Sequence, residues 1–218
     1  SGFVFIVNYQ DHAEVKPINN VRIELETKNE TIAFPANGSM DIPKGLSAVF
    51  PFNLELGAAV VRSATVQPFT LLKQREGTYA VFYILKGIEP SLHFSYPTKI
   101  TRLENALLSS DSHIVTVKPV MDGPFSFVAN GVNFLVITNE MAINAIVANE
   151  QLFVSDALVL ANTHELELIS KNTHNLLHVF RQRETLLRPT MPKSERSPLC
   201  SKVSKAMPLF FENLSQMW

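Results

Sequence analysis

The sequence predicts an all-β protein, a β-sandwich or jelly-roll-like fold with room for two packed β sub-domains and one short helix near 139–147. Three observations carry this. Short runs of branched and aromatic residues recur along the chain, Gly, Pro and Asn punctuate them, and the apolar period turns helical at only one place. No segment repeats at a fixed period, which argues against a solenoid or propeller.

Taken in order, Phe3–Val7 is a short apolar strand that reads as running straight into a core. Residues 8–20 are polar, contain Pro17 and Asn19-Asn20, and read as a loop. Val21 to Glu26 alternates strictly, so Val21, Ile23 and Leu25 share one face. Thr31–Phe34 follows Lys28-Asn29-Glu30 as the second arm of a hairpin, and Pro35 and Asn37-Gly38 mark a turn. Further extended segments are 40–42, 47–56 and 60–72, with a break at Gly57. Thr78–Leu85, rich in aromatic and branched residues, reads as a buried strand. Short strands follow at 92–96, 99–103, 113–119, 125–128 and 133–138. Thr138 then offers a cap and Glu140 an acidic first turn, while Met141, Ala142, Ala145 and Ile146 share a helical face; a helix through about Val147 is expected. Strands resume at 152–154, 157–160, 166–169 and 175–180. The segment 185–208 carries Pro189, Pro192, Pro198 and Pro208 and reads as a linker, followed by an apolar tail that includes Trp218. With a soft boundary at Ser109–Ser112, the expected organisation is a first β sub-domain over 1–108, a second over 109–184 that holds the helix, and the linker and tail over 185–218.

Composition narrows the function. The chain has 218 residues, enough for one large or two small domains with real cores. Apolar residues make up 46% and charged residues only 18%, against about 25% in an average domain; mean hydropathy is +0.09. Such a surface is suited to facing a neighbouring domain. The net charge of −1 leaves no basic excess to neutralise phosphates, so a nucleic-acid partner is not expected. The closest approach to a basic cluster, Lys193, Arg196, Lys202 and Lys205, reads as a solvated loop. No run of about 20 apolar residues exists to cross a membrane. The single cysteine, Cys200, excludes an internal disulfide and leaves the cellular compartment open.

Each catalytic pattern falls short. A retaining glycosidase needs two carboxylates about 5 Å apart with one pKa raised. Glu55, Glu89, Asp122, Glu140 and Asp156 are the carboxylates not plainly on a polar strand face, and each reads better as a cap, turn or surface group. His174 and His178 have a metal-compatible spacing only on a helix, no HExxH glutamate accompanies them, and a strand there separates them. Gly-x-Ser-x-Gly, Walker and dinucleotide loops are absent. No catalytic residue, metal or cofactor is therefore expected. A sugar site would stack aromatic faces on pyranose rings beside polar groups. The aromatic set is mainly phenylalanine, 15 against 4 tyrosines and 1 tryptophan, which favours core and interface. Tyr9, Tyr79 and Tyr83 are the carbohydrate-binding candidates, and Tyr79 and Tyr83 would share a strand face; Tyr96 and Trp218 are weaker ones.

Four segments, in order, carry a resemblance. Gly2-Phe3-Val4-Phe5-Ile6-Val7-Asn8-Tyr9 is similar to a "GFVFVNNY" strand. Ile42-Pro43 with Val49-Phe50-Pro51-Phe52-Asn53-Leu54 is similar to "IP…IWPFNL", and Ser63-Ala64-Thr65-Val66-Gln67-Pro68 to "YATAQP". Val136–Ala142 leading to Leu152–Ala157 resembles "VLTREQA…LVLSDA". These are segments of the β-domain that follows the catalytic barrel in bacterial glycoside hydrolase family 35, the β-galactosidase family, and together they span roughly residues 2–170. Phe50 stands in place of a tryptophan and Val7 in place of an asparagine, as in a divergent member. In that family both catalytic glutamates lie on a (β/α)₈ barrel. The resemblance therefore implies a non-catalytic module cut from a longer polypeptide, with the parent's barrel as its partner and a galactose-containing glycan as an optional second one; it leaves the compartment open between exported, periplasmic and cytoplasmic.

Overall fold

In the computed structural model the fold is all-β, as the sequence predicts. The structure describes residues 1–28, 30–74, 77–161, 166–169, 177–180 and 200–202. Among these, one five-residue helix accompanies the strands. The apolar tail with Trp218, and His164 and His174, lie outside the described residues, as does the expected linker over 185–208 apart from 200–202.

The chain forms two compact units, residues 1–71 with 77–139, and residues 72–76 with 140–218. The first unit opens with β1 (Gly2–Val7), β2 (Ile18–Val21), β3 (Ile23–Glu26), β4 (Thr31–Phe34) and β5 (Met40–Ile42). It continues with β6 (Ser47–Leu56), β7 (Ala59–Ala64), β8 (Gln67–Gln74), β9 (Gly77–Tyr83) and β10 (Leu92–Ser95). β11 (Ile100–Glu104), β12 (Ala106–Ser110), β13 (Ile114–Pro119), β14 (Phe125–Ala129) and β15 (Val132–Ile137) complete it.

Two sheets make the sandwich. A six-stranded sheet has the order β1-β6-β7-β10-β13-β12, and a five-stranded one the order β11-β14-β15-β9-β8. Both sheets contribute to one core: Val61, Leu92, Phe94 and Val117 from the first meet Phe82, Phe125, Phe127, Phe134 and Val136 from the second. Phenylalanine fills the space between them. Phe127 and Phe134 are direct cross-strand partners with ring centroids 4.9 Å apart. Phe94, from the other sheet, sets its edge against both, at 5.9 and 5.4 Å. Edge-to-face and offset pairs of this kind add about 0.5–1.5 kcal/mol beyond area burial.

A second core lies under the small hairpins. Ile32, Phe34, Met40, Ile42, Ala48 and Phe50 form it, with Val4, Ile6, Val21, Ile23 and Leu25 packed against them. The predicted shared face of Val21, Ile23 and Leu25 is thus observed, split between β2, which pairs with β5, and β3, which pairs with β4. β6 serves both cores. Its first half gives Ala48 and Phe50 to the second, and its end gives Leu56 to the first. Asn53, left-handed at φ 47°, lies at the junction. The buried Asn8 holds the following loop: its Nδ2 donates toward the carbonyls of Lys16, Ile42 and Pro43 at 3.0, 3.3 and 3.0 Å.

Two expectations change here. The expected soft boundary at residues 109–112 falls on the end of β12 and the turn of 111–113 into β13, where the Asp111 carboxylate accepts from the backbone N–H groups of His113 and Ile114, both at 2.7 Å. Residues 106–110, to which the sequence assigns no element, are a strand. The helix, α1 (Asn139–Ile143), stops four residues short of the expected end. Asn144 donates from its side chain to the Glu140 carbonyl at 3.1 Å, ending the helix, and Ala145–Ala148 become β16.

The second unit holds β16, β17 (Gln151–Ser155), β18 (Leu158–Ala161), β19 (Leu166–Ile169), β20 (Leu177–Phe180) and β21 (Cys200–Lys202). They form two three-stranded sheets, β16-β17-β20 and β18-β19-β21. Ile146 pairs with Phe153 and packs against a core of Phe153, Ala157, Val159 and Leu177. Tertiary burial in a strand thus overrides the helical face that Ala145 and Ile146 offer. Residues 200–202, expected within a linker, pair with β19.

The packing makes two stability predictions. Phe94→Ala leaves a cavity between the sheets and is expected to cost about 3–5 kcal/mol, whereas Phe5→Ala, at a side chain 73% exposed, is expected to change stability little. Asn8→Ala strands three carbonyls at the base of its loop and is expected to cost about 1–3 kcal/mol. Urea unfolding of the three variants checks both.

Candidate functional site

The acidic candidates all lie at the surface. Glu55, Glu89, Asp122, Glu140 and Asp156 are all exposed. Glu89 pairs with Lys118 at 2.6 Å, and Glu140 sits in the first turn of α1. Among the described residues no group of three or more His, Cys, Asp or Glu side chains comes together to hold a metal, and no helix is long and apolar enough to cross a membrane.

Among the described residues one histidine is buried, and its surroundings determine its proton. His93 on β10 is 2% exposed. Its Nδ1 lies 3.0 Å from the Thr116 hydroxyl and its Nε2 3.0 Å from the Ser91 hydroxyl. Ser91 Oγ in turn lies 2.9 Å from Thr65 Oγ1, which donates to the Glu89 carbonyl at 2.6 Å and accepts from the Ser91 N–H at 3.0 Å. A carbonyl only accepts, so the single Thr65 proton goes to Glu89. Ser91 must then donate to Thr65, and its oxygen must accept from His93. That places the proton on Nε2, leaving Nδ1 to accept from Thr116. The chain runs one way, from Thr116 through His93, Ser91 and Thr65 to a backbone carbonyl. Every hydroxyl proton in it is committed, so Ser91 is no activated nucleophile. Burial, with the nearby Lys118 charge, lowers the His93 pKa to about 4.

The tyrosine candidates are placed apart. Tyr79 is buried at 8% exposure. Tyr83 is half-buried; its hydroxyl is hydrogen-bonded by the Gln67 amide, Phe69 sets an edge against its ring, and burial raises its pKa. Tyr9 is open, and its hydroxyl donates to the Asp11 carboxylate at 2.5 Å, which raises the Tyr9 pKa. Tyr79 and Tyr83 share a strand, as expected, and of the three only Tyr9 presents an open ring. Tyr96, also exposed, follows β10.

The most distinctive surface is on β1. Its residues alternate between half-buried and exposed. Val4 and Ile6 pack on the second core, so period two turns Phe3, Phe5 and Val7 outward. They are 45%, 73% and 65% exposed, and Tyr9 beyond them is 60% exposed. The expected run of Phe3–Val7 into a core is met by the alternate residues Val4 and Ile6. Gly2 fits the same strand closely, since a Cβ there would lie 2.6 Å from the Phe52 ring. The signal for this row was the spacing of Phe3, Phe5 and Val7, which is legible only once one face of β1 is known to be covered. No protein-family model matches the chain, and no curated protein matches it.

His93 makes the pH dependence specific. Its folded pKa lies below the ordinary 6.5, so the unfolded chain takes up the proton first. Stability from this site is complete above pH 6.5 and falls as pH drops towards 4, by up to about 3 kcal/mol. Urea unfolding at pH 7.5 and 4.5 is expected to show a smaller acid loss for His93→Gln than for the parent sequence. Equal losses would show that His93 is not the titrating group.

Proposed function

We propose that the chain is a non-catalytic accessory β-domain of a family 35 glycoside hydrolase, a β-galactosidase-like parent, and that the face of β1 packs against the parent's catalytic barrel. The observation that carries this is the row Phe3, Phe5 and Val7, exposed on one strand and followed by the exposed Tyr9 just past its end. Contiguous apolar surface of this kind marks an interaction site. A row of phenylalanines with few charges beside it matches an intramolecular domain contact better than a polar ligand. The strand also carries the first of the four resemblances, and the committed protons of the His93 chain and the scattered carboxylates fit a module without its own chemistry.

A second reading, a carbohydrate-binding module, is favoured by one feature. The open Tyr9 ring beside the Asp11 carboxylate combines an apolar face with a hydroxyl acceptor, as sugar sites do.

The encoding gene tests the first reading. A reading frame that continues upstream of residue 1 into alternating β and α units with two barrel glutamates is expected; a frame without them overturns the parentage. Turnover of an aryl β-galactoside by the chain alone would overturn the non-catalytic assignment. Calorimetric titration with galactan is expected to give no heat, and a heat abolished by Tyr9→Ala would establish the second reading instead.

A further inference from the structure

The backbone of β1 carries information that its side chains do not. β1 ends the order of the six-stranded sheet, so among the described residues only β6 pairs with it. The ladder runs unbroken from Gly2 opposite Phe52 to Val7 opposite Ser47. The next residue, Asn8, donates its N–H to the Leu46 carbonyl at 2.8 Å. Backbone groups alternate in direction along an antiparallel strand. Gly2, Val4 and Ile6 therefore share the direction of Asn8 and face β6, and Phe3, Phe5 and Val7 aim their N–H and C=O groups away from it. Two observations agree. Pro51, which has no N–H, stands opposite Phe3, and the Val49 N–H, opposite Phe5, donates to Gln67 rather than to β1.

Exposed edges are normally blunted by charge, proline or a bulge. β1 has no charged residue and no proline, and its register has no bulge. The residues with outward backbone groups are also the residues with exposed apolar side chains. We propose that β1 pairs antiparallel with β1 of a second copy of this chain, about a two-fold axis through Phe5. In that register Phe3 stands opposite Val7 of the other copy, Phe5 opposite Phe5, and Val7 opposite Phe3. All three pairs direct their backbone groups at each other, which gives six hydrogen bonds, and the sheets of the two copies become one. The exposed row of each copy continues into that of the other, and no like charges meet. Phe3 against Val7, Phe5 against Phe5 and Val7 against Phe3 set apolar side chains beside one another across the new ladder, the cross-strand pairs that stabilise a sheet. The contact is isologous, as closed two-fold dimers require, and it uses the strand edge and leaves the outward face open. It does not rest on the proposed parentage: a gene without a barrel would overturn that reading and leave this one standing.

The register sets the test. In a Cys200→Ser background, which removes the only native thiol, Phe5→Cys places two thiols at hydrogen-bonded partner positions about 5.5 Å apart at Cα, within disulfide reach. Phe3→Cys places its two thiols four residues out of register, about 13 Å apart. Rapid oxidation of Phe5→Cys to a covalent dimer, with Phe3→Cys remaining a monomer, is expected. Analytical ultracentrifugation of the full chain is expected to show a monomer–dimer equilibrium weakened roughly tenfold or more by Phe5→Lys, which sets like charges on the axis. Leu107→Lys, at the exposed outer edge strand β12, is expected to leave it unchanged. A chain that stays monomeric at every concentration overturns the proposal, as does a dimer indifferent to Phe5→Lys, or equal crosslinking of the two cysteine variants. Phe5 is 73% exposed, so unchanged thermal unfolding of its variants separates lost pairing from lost folding.

Discussion

The sandwich depends on one strand doing two jobs. β6 gives Ala48 and Phe50 to the core under the hairpins and Leu56 to the core between the large sheets. A strand that serves two cores must keep its register through the junction, because a slip of one residue would exchange every buried side chain for an exposed one. The junction is held at Asn53. Its left-handed backbone, φ 47°, is one that asparagine tolerates better than most residues. Its side chain donates to the Glu30 carboxylate at 3.1 Å, and the other oxygen of Glu30 pairs with Arg62 on β7 at 2.6 Å. Glu30 belongs to the β3–β4 turn, where Thr27 Oγ1 donates to its carbonyl at 2.7 Å. One half-buried carboxylate thus ties the small hairpin to two strands of the large sheet where β6 passes from one core to the other.

The surface of β1 follows from that arrangement. β1 pairs with the first half of β6, so it shares the second core, and Val4 and Ile6 must face it. Once they do, the period of two leaves Phe3, Phe5 and Val7 no place inside. The same alternation decides the backbone, since the residues turned outward by their side chains are those whose N–H and C=O groups point off the sheet. A single constraint, the burial of two side chains, therefore creates both the apolar face and the receptive edge. Neither needs a special motif, which is why a strand of six ordinary residues can be the most distinctive surface of the molecule.

How much of this the sequence disclosed differs from element to element. The face of Val21, Ile23 and Leu25 was legible because charged residues alternate with them, and the strand through Tyr79–Tyr83 because its composition is so rich in aromatic and branched residues. Asp111 was legible as punctuation but misplaced in meaning, since a short strand that ends in two serines and an Asx turn looks like a boundary. Ala145 and Ile146 fit a helix and a strand equally well, and pairing with β17 decided between them. The edge status of β1 could not be read at all. It depends on strand order, and β1 lies beside β6, some 40 residues away, rather than beside its neighbours in sequence.

The His93 chain shows the same limit from the polar side. His93 and Thr116 lie on two strands, and Ser91 and Thr65 in the loops beside them; separations of 23 and 26 residues leave no spacing to detect. A buried histidine flanked by serine and threonine hydroxyls invites a catalytic reading, and the proton count refutes it. Thr65 has one proton for the Glu89 carbonyl, and each earlier member must donate in the same direction. A nucleophile needs a base that can take its proton, yet here the histidine nitrogen next to Ser91 already carries one. The hydroxyls at the buried heart of this sheet serve to satisfy a polar ring among apolar strands. Among the described residues it is the first strand that presents both rings and backbone at the surface.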